Sequence, residues 1–298
     1  MPAPSPPLRI AVLGAGRIGS TFAARLARIG GHDVTVIARP GSVRLQQLER
    51  DRAIIDVKGE RAGVRVSDTL DEQTPYDLVI VTLLAHQADA LLPTLQRSAA
   101  GCIQFMFNTF HPEHLQAAIG VERCSFGMPF VQAALDGDGR LKASIGAAGQ
   151  KTIISRQRWV DLFNAARLPA ALEPDMPLWL RCHVPLCVAF ESVSVAGKRR
   201  GGGASWKEAL VLARGVRAGL MLVRRLEGRV YPRARTLVDG SPVWAVAAVL
   251  WSLSRVRSFR ELLATGEAEC CALVDAMVAA ASARPPVAAS DIQAMRPS

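Results

Sequence analysis

Hydrophobic and polar positions follow one pattern in the first half of the chain and another in the second. In the first half, an apolar run at residues 8–13 ends in glycine, and residues 18–29 then place apolar side chains at helical spacing. Two later runs, residues 33–38 and 77–83, are rich in β-branched residues, as strands are. Their apolar positions are continuous, which is typical of parallel strands covered on both faces. Repeated strand–helix units therefore predict an α/β fold with a doubly wound sheet.

Shorter signals fill the gaps between these elements. Residues 53–66 predict short strands around the turn at Lys58-Gly59, and residues 88–95 predict a helix that leads to a strand at 102–107. The stretch 135–141 has two Asp-Gly pairs between apolar flanks, which indicates a β-hairpin turn.

The second half of the chain has no strand signals from about residue 174 onward. Long segments rich in Ala, Leu, Val and Arg predict helices at residues 178–196, 206–229, 243–263 and 267–283. We therefore expect a Rossmann-type domain over residues 1–173, followed by an all-helical domain over residues 174–298.

The turn between the first strand and the first helix carries a GxGxxG motif. Its members are Gly14, Ala15, Gly16, Arg17, Ile18 and Gly19. In a dinucleotide site the first glycine permits a tight turn, the second lets the backbone approach a pyrophosphate, and the third lets helix and strand pack closely. The N–H groups at the helix start supply partial positive charge to the phosphates. Because a strand precedes the motif and a helix follows it, these six residues are predicted to bind a dinucleotide cofactor.

The residue after the second strand indicates which dinucleotide is bound. An NAD enzyme places an acidic residue there, on the ribose 2′-hydroxyl, whereas this chain has Arg39. A guanidinium can bind a 2′-phosphate through paired, charge-assisted hydrogen bonds. NADP(H) is therefore the predicted cofactor, with Arg44 and Arg17 as alternative phosphate ligands.

The composition is that of a folded, basic protein. Of 298 residues, 50% are hydrophobic and 21% charged, which excludes a disordered or collagen-like chain. The net charge is +10, and residues 198–235 hold eleven basic and two acidic residues. We interpret that segment as a solvated helix face, and nucleic-acid binding is disfavoured because few aromatic residues interleave the charge.

Targeting, membrane and metal signals are weak. Residues 1–7 lack a basic stretch followed by an apolar one, so we expect a cytoplasmic protein. The apolar run at 243–250 is well short of the roughly 18 residues that a membrane span needs, so no transmembrane helix is expected. The six cysteines form no CxxC pair, and Pro112 separates His111 from His114, so we expect reduced thiols and no metal. The expected partner is a small-molecule substrate, not nucleic acid or a membrane, and the candidate assembly is a homodimer.

Five stretches of the chain occur in the order that one enzyme family shows. They are the GAGRIGS turn with VTVIARPG (34–41), VTLLAHQ (81–87), MFNTF (106–110), PLWLRCHVPLCVAF (177–190) and GEAE (266–269). Together they resemble the ketopantoate reductase (2-dehydropantoate 2-reductase) family, whose corresponding segments beyond the glycine turn are VTLKAxQ, HNGxG, ELWRKLxxNxxxN and the TEID box. The resemblance runs over nearly the whole chain. It implies an N-terminal NADPH-binding domain and an all-helical substrate domain.

The resemblance also implies roles for single residues. Asn108 matches the family's asparagine near the nicotinamide, and Glu267 matches its active-site glutamate. Leu84 stands where the family has a cofactor-side lysine, and Arg181 stands where it has its catalytic lysine.

Other positions depart from the family as well. The family's two helix asparagines fall on Pro185 and Ala189, and its substrate serine corresponds to either Ser254 or Ser258 only with a gap. A proline four residues after Arg181 removes the hydrogen bond to the Arg181 carbonyl, so a helix kink is expected there. We interpret these departures as a remodelled site, the alternative being that Arg181 is a surface residue and Pro185 a packing accident.

These departures bear on the chemistry. In such an enzyme the lysine binds the ketone oxygen and gives it a proton, whereas the pKa of an arginine is too high for it to donate one near neutral pH. Arg181 can still stabilise an alkoxide or orient the electrophile, with the proton coming from water or from Glu267 if burial raises the pKa of that carboxyl.

We therefore predict an NADPH-dependent reductase of a small carbonyl (2-oxoacid-like) or imine compound. In this prediction Arg181, Glu267 and Asn108 are the catalytic residues, and Arg39, Leu84 and Asn108 join the glycine motif in cofactor binding. The alternative is a non-catalytic NADP-binding protein of the same fold.

Overall fold

An eight-stranded sheet forms the centre of the N-terminal unit in the computed structural model, which describes residues 6–263, 266–282 and 287–297. The strands in the described part of the chain are β1 (Arg9–Leu13), β2 (Asp33–Ile37), β3 (Ala53–Ile55), β4 (Arg61–Gly63), β5 (Arg65–Ser67), β6 (Leu78–Val81), β7 (Ile103–Phe105), β8 (Cys124–Met128), β9 (Val131–Leu135), β10 (Leu141–Ile145), β11 (Thr152–Ile154) and β12 (Ala170–Leu172). The sheet order is β12-β11-β8-β7-β6-β1-β2-β5.

Nearly all neighbours in this sheet pair in parallel. Among the described strands of this sheet, the β8–β11 pair is the antiparallel exception, and Ile10 of β1 lies opposite Val34 on β2 and Leu78 on β6. The strand order reverses at β1, which is the point where open α/β sheets bind ligands at the carboxyl ends of their strands. The predicted doubly wound sheet is thereby confirmed.

The two predicted hairpins are present beside the main sheet. β3 pairs antiparallel with β4, and β9 pairs antiparallel with β10. Their turns contain Gly59 and Gly139 at φ angles of +83° and +77°, a conformation that glycine adopts without strain.

The helices of this half follow the strands. They are α1 (Arg17–Arg28), α2 (Val43–Asp51), α3 (Ala85–Asp89), α4 (Leu92–Arg97), α5 (Pro112–Ile119) and α6 (Gln157–Ala165). The single helix predicted at 88–95 is instead divided between α3 and α4. Pro93 explains the break, because a proline lacks the N–H that a helix interior needs and is tolerated in the first turn, where it lies in α4.

The helical unit includes a short segment that lies within the N-terminal half of the sequence. The chain divides into two compact units, one made of the chain up to Phe107 with Glu113–Met176, the other of Asn108–Pro112 with the chain from Pro177 onward. The sequence places a single boundary at residue 173, and no pattern in it assigns Asn108–Pro112 to the helical unit. Phe110 is part of that unit's hydrophobic core.

Seven helices form the rest of the helical unit in the described residues. They are α7 (Met176–Arg199), α8 (Trp206–Glu227), α9 (Arg233–Gly240), α10 (Val243–Leu253), α11 (Arg257–Leu263), α12 (Glu267–Ser282) and α13 (Ala289–Gln293). The helix predicted at 243–263 is interrupted, because the Ser254 hydroxyl bonds the Trp251 carbonyl at 2.7 Å and accepts from the Ala204 N–H at 2.9 Å. Ala283, the last residue of the fourth predicted helix, lies outside the described residues.

Helix α7 runs through Pro185 from Met176 to Arg199. Pro185 is buried against α8, where a Cβ at Gly219 would lie 2.8 Å from the proline Cγ, so only glycine allows this close packing. By length and apolar composition alone α7 could cross a membrane, which the sequence analysis missed, and 67% of its most apolar window is buried inside the protein. Helices α9 and α10 are long and apolar enough to cross a membrane only when taken together, and the pair is bent by 115°.

Candidate functional site

The glycine turn between β1 and α1 has the geometry of a phosphate-binding loop. Gly14 has a φ angle of +101°, and a Cβ there would lie 2.9 Å from the Thr82 hydroxyl. A Cβ at Gly19 would overlap the Gly14 carbonyl oxygen, whereas a Cβ at Gly16 would meet no atom within 4 Å. Packing therefore requires the first and third glycines, and the second leaves open space above the backbone at the start of α1. These residues fit a dinucleotide pyrophosphate.

Thr82, directly after β6, holds this turn in place. Its hydroxyl donates to the Gly14 carbonyl at 2.9 Å, and its N–H donates to the Leu13 carbonyl at 2.8 Å. Leu84, two residues on, is half-buried, and its N–H donates to the Gln87 side chain at 3.2 Å. Thr82 lies in the VTLLAHQ stretch, but no local pattern predicts its role, since its partner is distant in sequence.

Arg44 of α2 clamps the same turn from the other side. Its Nε donates to the Ala15 carbonyl at 3.2 Å, and its other nitrogens donate to the Ser20 hydroxyl at 3.0 Å and the Gly139 carbonyl at 2.8 Å. Burial lowers the pKa of the Arg44 guanidinium. Its donors are therefore engaged by the protein, although the sequence offered Arg44 as an alternative phosphate ligand.

The remaining two arginines near the turn have exposed side chains. Arg17 opens α1, and Arg39 follows the end of β2 by two residues. In the described part of the chain neither guanidinium takes part in a hydrogen bond or ion pair, so both are available to a ligand. Ile18, between the glycines, is half-buried.

A second group of polar side chains lies inside the helical unit, around Asn108. Only 5% of the Asn108 surface is exposed, and its amide nitrogen donates to Glu269 Oε1 at 3.1 Å and to Cys187 Sγ at 3.4 Å. The Asn108 carbonyl oxygen Oδ1 is buried and accepts no hydrogen bond from any of the described residues. The amide is thus held by its nitrogen and has an unused acceptor.

Glu191 completes this group from the middle of α7. The Cys270 thiol donates to its Oε2 at 2.9 Å, and the Cys187 thiol lies 3.6 Å from its Oε1. Burial raises the pKa of Glu191 to about 7, against the lowering effect of the Cys270 hydrogen bond, and the Glu269 carboxylate raises it further. Burial beside these acids also raises the pKa of both thiols. The cysteines here are therefore protonated donors.

Arg181 lies elsewhere on α7 and ties three segments together. Its Nε donates to the Phe110 carbonyl at 3.1 Å, and its guanidinium forms an ion pair with Glu227 at the end of α8. Only 14% of the Arg181 side chain is exposed, so it is not a surface residue. Through Phe110 it holds the segment that carries Asn108.

The structure brings some predicted site residues together and separates others. Asn108 contacts Glu269, while Glu267 is exposed at the start of α12 and makes no hydrogen bond or ion pair in the described residues. Both glutamates lie within the GEAE stretch, where sequence alone did not separate them. Glu191 was missed, although it is the single acid in the apolar helix α7, four residues after Cys187. Within the described ranges no three His, Cys, Asp or Glu side chains are grouped to hold a metal ion.

Comparisons with known proteins agree with this architecture. Residues 10–155 match the sequence model of the family Ketopantoate reductase PanE/ApbA. A 2-dehydropantoate 2-reductase from Mesorhizobium japonicum is 34% identical over 92 residues, which are 31% of this chain and 27% of that protein. The match therefore spans less than a third of that relative's length.

Solved structures resemble the chain over nearly its whole length. A PanE/ApbA family ketopantoate reductase from Ralstonia eutropha has a TM-score of 0.73 at 18% identity, with 97% of this chain and 96% of that one covered. A D-mandelate dehydrogenase, solved with NADH and anilino(oxo)acetate, has a TM-score of 0.66 at 15% identity with the same coverage. At these identities the likeness establishes the fold.

Proposed function

We propose that this chain, whose residues 10–155 match the ketopantoate reductase family, is an NADPH-dependent reductase that acts on a small carbonyl or imine compound. The observation that carries the proposal is the turn at residues 14–19. Packing requires Gly14 and Gly19 there, while Gly16 leaves the backbone open to a ligand. A protein that had lost its cofactor would have no need of that open space.

Several residues of this chain would hold the cofactor. They are Gly14, Ala15, Gly16, Arg17, Ile18, Gly19, Arg39, Leu84 and Asn108. When bound, the reduced nicotinamide supplies a hydride. The first-turn N–H groups of α1 bind the pyrophosphate, and the exposed Arg39 pairs with the 2′-phosphate.

The substrate residues in this proposal lie in the helical unit. Asn108 and Glu269 contact each other and act on the substrate, with Glu267 as a further proton-handling candidate at the start of the same helix. Arg181 orients the Asn108 segment through the Phe110 carbonyl.

A second candidate is a non-catalytic NADP-binding protein of the same fold. Arg181 favours it, because a guanidinium stands where the family resemblance places the catalytic lysine and is paired with Glu227. Activity separates the two candidates. NADPH oxidation followed at 340 nm with 2-oxo acids, ketopantoate and cyclic imines should show turnover for the reductase, and no turnover with any of them would leave the binding protein.

The cofactor assignment has its own test in Arg39. Wild type should bind NADPH at least about tenfold more tightly than NADH, since one charge-assisted contact is worth about 1.4 kcal/mol. Arg39→Asp should abolish this preference, whereas the exposed Lys151→Asp, with the same charge change, should keep it. Calorimetric titration measures all six protein–cofactor pairs, and equal affinities of wild type for NADPH and NADH would refute the role of Arg39.

A further inference from the structure

Glu191 is a buried acid whose neighbours supply no positive charge. Only 9% of its surface is exposed, and its hydrogen-bond partners among the described residues are the Cys187 thiol of α7 and the Cys270 thiol of α12. The other groups that face it are the Glu269 carboxyl of α12 and, across Cys187, the Asn108 amide. No Lys, Arg or His pairs with Glu191 among the described side chains. An ionised carboxylate in such surroundings lacks a positive charge to pair with.

Asn108 independently indicates what kind of group would pair with Glu191. Its amide lies in the same cluster, held through nitrogen by Glu269 and Cys187, while its Oδ1 is buried without a donor. Leaving a buried acceptor unpaired is unfavourable, because it loses its hydrogen bond to water without gaining another. Glu191 lacks a positive charge and Asn108 lacks a donor, so a single positively charged nitrogen with an N–H would satisfy both.

We propose that this cluster binds the protonated nitrogen of the substrate, and that the substrate class is therefore an imine in its iminium form. This inference rests on the proposed reductase function and selects between its two electrophiles. The Asn108 carbonyl oxygen accepts from the N–H, and the Glu191 carboxylate faces the positive charge.

The chemistry of an iminium fits a site whose arginine is a poor acid. Reduction of a ketone needs a hydride at carbon and a proton at oxygen, and Arg181 does not supply that proton near neutral pH. An iminium already carries its proton. Its carbon accepts the hydride of the reduced dinucleotide, the π pair of the C=N bond becomes the lone pair on nitrogen, and the products are a neutral amine and the oxidised dinucleotide.

The same charges disfavour an anionic substrate. A 2-oxo acid would bring a carboxylate to the buried Glu191, and like charges in a site of low dielectric repel strongly. Arg181 does not offset this, because Glu227 pairs with its guanidinium.

Gly266, directly before α12, packs closely against the Glu191 carboxylate. A Cβ at this position would collide with Glu191 Oε2. Gly266→Ala should therefore displace the carboxylate and weaken cation binding without any change of charge.

The test is binding of a small cation to the full-length protein without cofactor. n-Butylammonium chloride is titrated at matched ionic strength and followed by ligand-observed NMR, with sodium butyrate as the anionic probe. Wild type at pH 8 should bind butylammonium in preference to butyrate. Glu191→Gln should weaken this binding at least about tenfold, which is the loss of one charge-assisted contact. The exposed Glu261→Gln, which removes one negative charge from the same unit, should bind as wild type does.

A wild-type experiment covers the case in which Glu191→Gln does not fold. Lowering the pH from 8 to 6 protonates a carboxyl of pKa about 7, while butylammonium stays charged, so binding should weaken about tenfold. Preference for butyrate, or butylammonium binding that neither Glu191→Gln nor the pH change weakens, would overturn the inference. NADPH-dependent reduction of 2-oxo acids together with either result would leave the reductase function standing and remove only the iminium.

Discussion

At the scale of single residues, the glycines of the turn at 14–19 serve two separate purposes. Gly14 and Gly19 are required by the protein itself, because a Cβ at either position meets the Thr82 hydroxyl or the Gly14 carbonyl. Gly16 is not required in this way, since a Cβ there meets nothing within 4 Å. The open space above Gly16 lies at the start of α1, where a dinucleotide pyrophosphate would bind.

This distinction predicts that Gly16→Ala separates folding from cofactor binding. The variant should unfold within about 0.5 kcal/mol of wild type, as a substitution into open space does, yet bind NADPH at least about tenfold more weakly because its methyl group occupies the pyrophosphate position. Urea unfolding and calorimetry measure the two quantities.

The matched control is Gly63→Ala, at an exposed position of β4 where a Cβ also meets nothing within 4 Å. It should leave both stability and NADPH affinity unchanged. Unweakened NADPH binding by Gly16→Ala would show that the open space above the turn is not the pyrophosphate site.

At the scale of elements, Arg181 joins α7 to two segments that are distant in sequence. Its guanidinium bonds the Phe110 carbonyl and pairs with Glu227 at the last residue of α8. The planar fork of an arginine can serve both partners at once, which the single ammonium of a lysine does less well. The residue that resemblance places at the catalytic lysine is therefore part of the architecture of this unit.

We predict that Arg181→Met destabilises the protein by about 2–3 kcal/mol, because it leaves the Phe110 carbonyl and the half-buried Glu227 without their partner. Arg181→Lys should lower the free energy of unfolding by about 1 kcal/mol, because lysine keeps the charge but cannot donate to both partners as the guanidinium does. Urea unfolding gives the free energies, and Arg214→Met, at an exposed position of α8, is the control. Equal stability of Arg181→Met and the control would assign Arg181 no structural role.

Sequence patterns predicted most elements but not how they meet. The buried strands β1, β2 and β6 and the long helices were visible because burial on both faces or on one stripe imposes a continuous or periodic run. The α3–α4 break was missed, although Pro93 signals it. The contacts of Asn108 with Glu269 and Cys187 span 161 and 79 residues, and no local pattern reports such pairs.

At the scale of the whole molecule, two buried ionisable groups act on stability in opposite directions. Burial, aided by the nearby Arg235, lowers the pKa of His183 to about 3, so the folded state resists a proton that the unfolded chain accepts below about pH 6.5. The stability that the neutral His183 contributes is therefore lost as pH falls from about 6.5 toward 3. Glu191 affects stability in the opposite direction. Its raised pKa makes the folded state hold a proton that the unfolded chain has already released, so its contribution is lost as pH rises.

The Glu191 contribution predicts a pH-dependent difference between wild type and Glu191→Gln. It is fully present below the unfolded pKa of about 4.5 and declines as pH rises to about 7, so wild type should lose about 3 kcal/mol relative to the variant between about pH 4 and pH 8. Urea unfolding across this range measures the difference, in which the His183 term cancels. The Glu261→Gln control should stay parallel to wild type across this range. If the Glu191→Gln curve also stayed parallel, the pKa of Glu191 would not be raised in the folded state.

The assignment of Asn108–Pro112 to the helical unit bears on how this protein can exchange parts with its relatives. A recombination point at the apparent boundary, near residue 174, would transfer the seven helices but leave behind Phe110, which fills their core, and Asn108, which enters their polar cluster. The incoming helices would meet five residues selected for another interior. Inheritance of an intact helical unit in such a lineage is therefore tied to a short segment encoded within the sheet-forming half, and a working chimera has to carry both pieces.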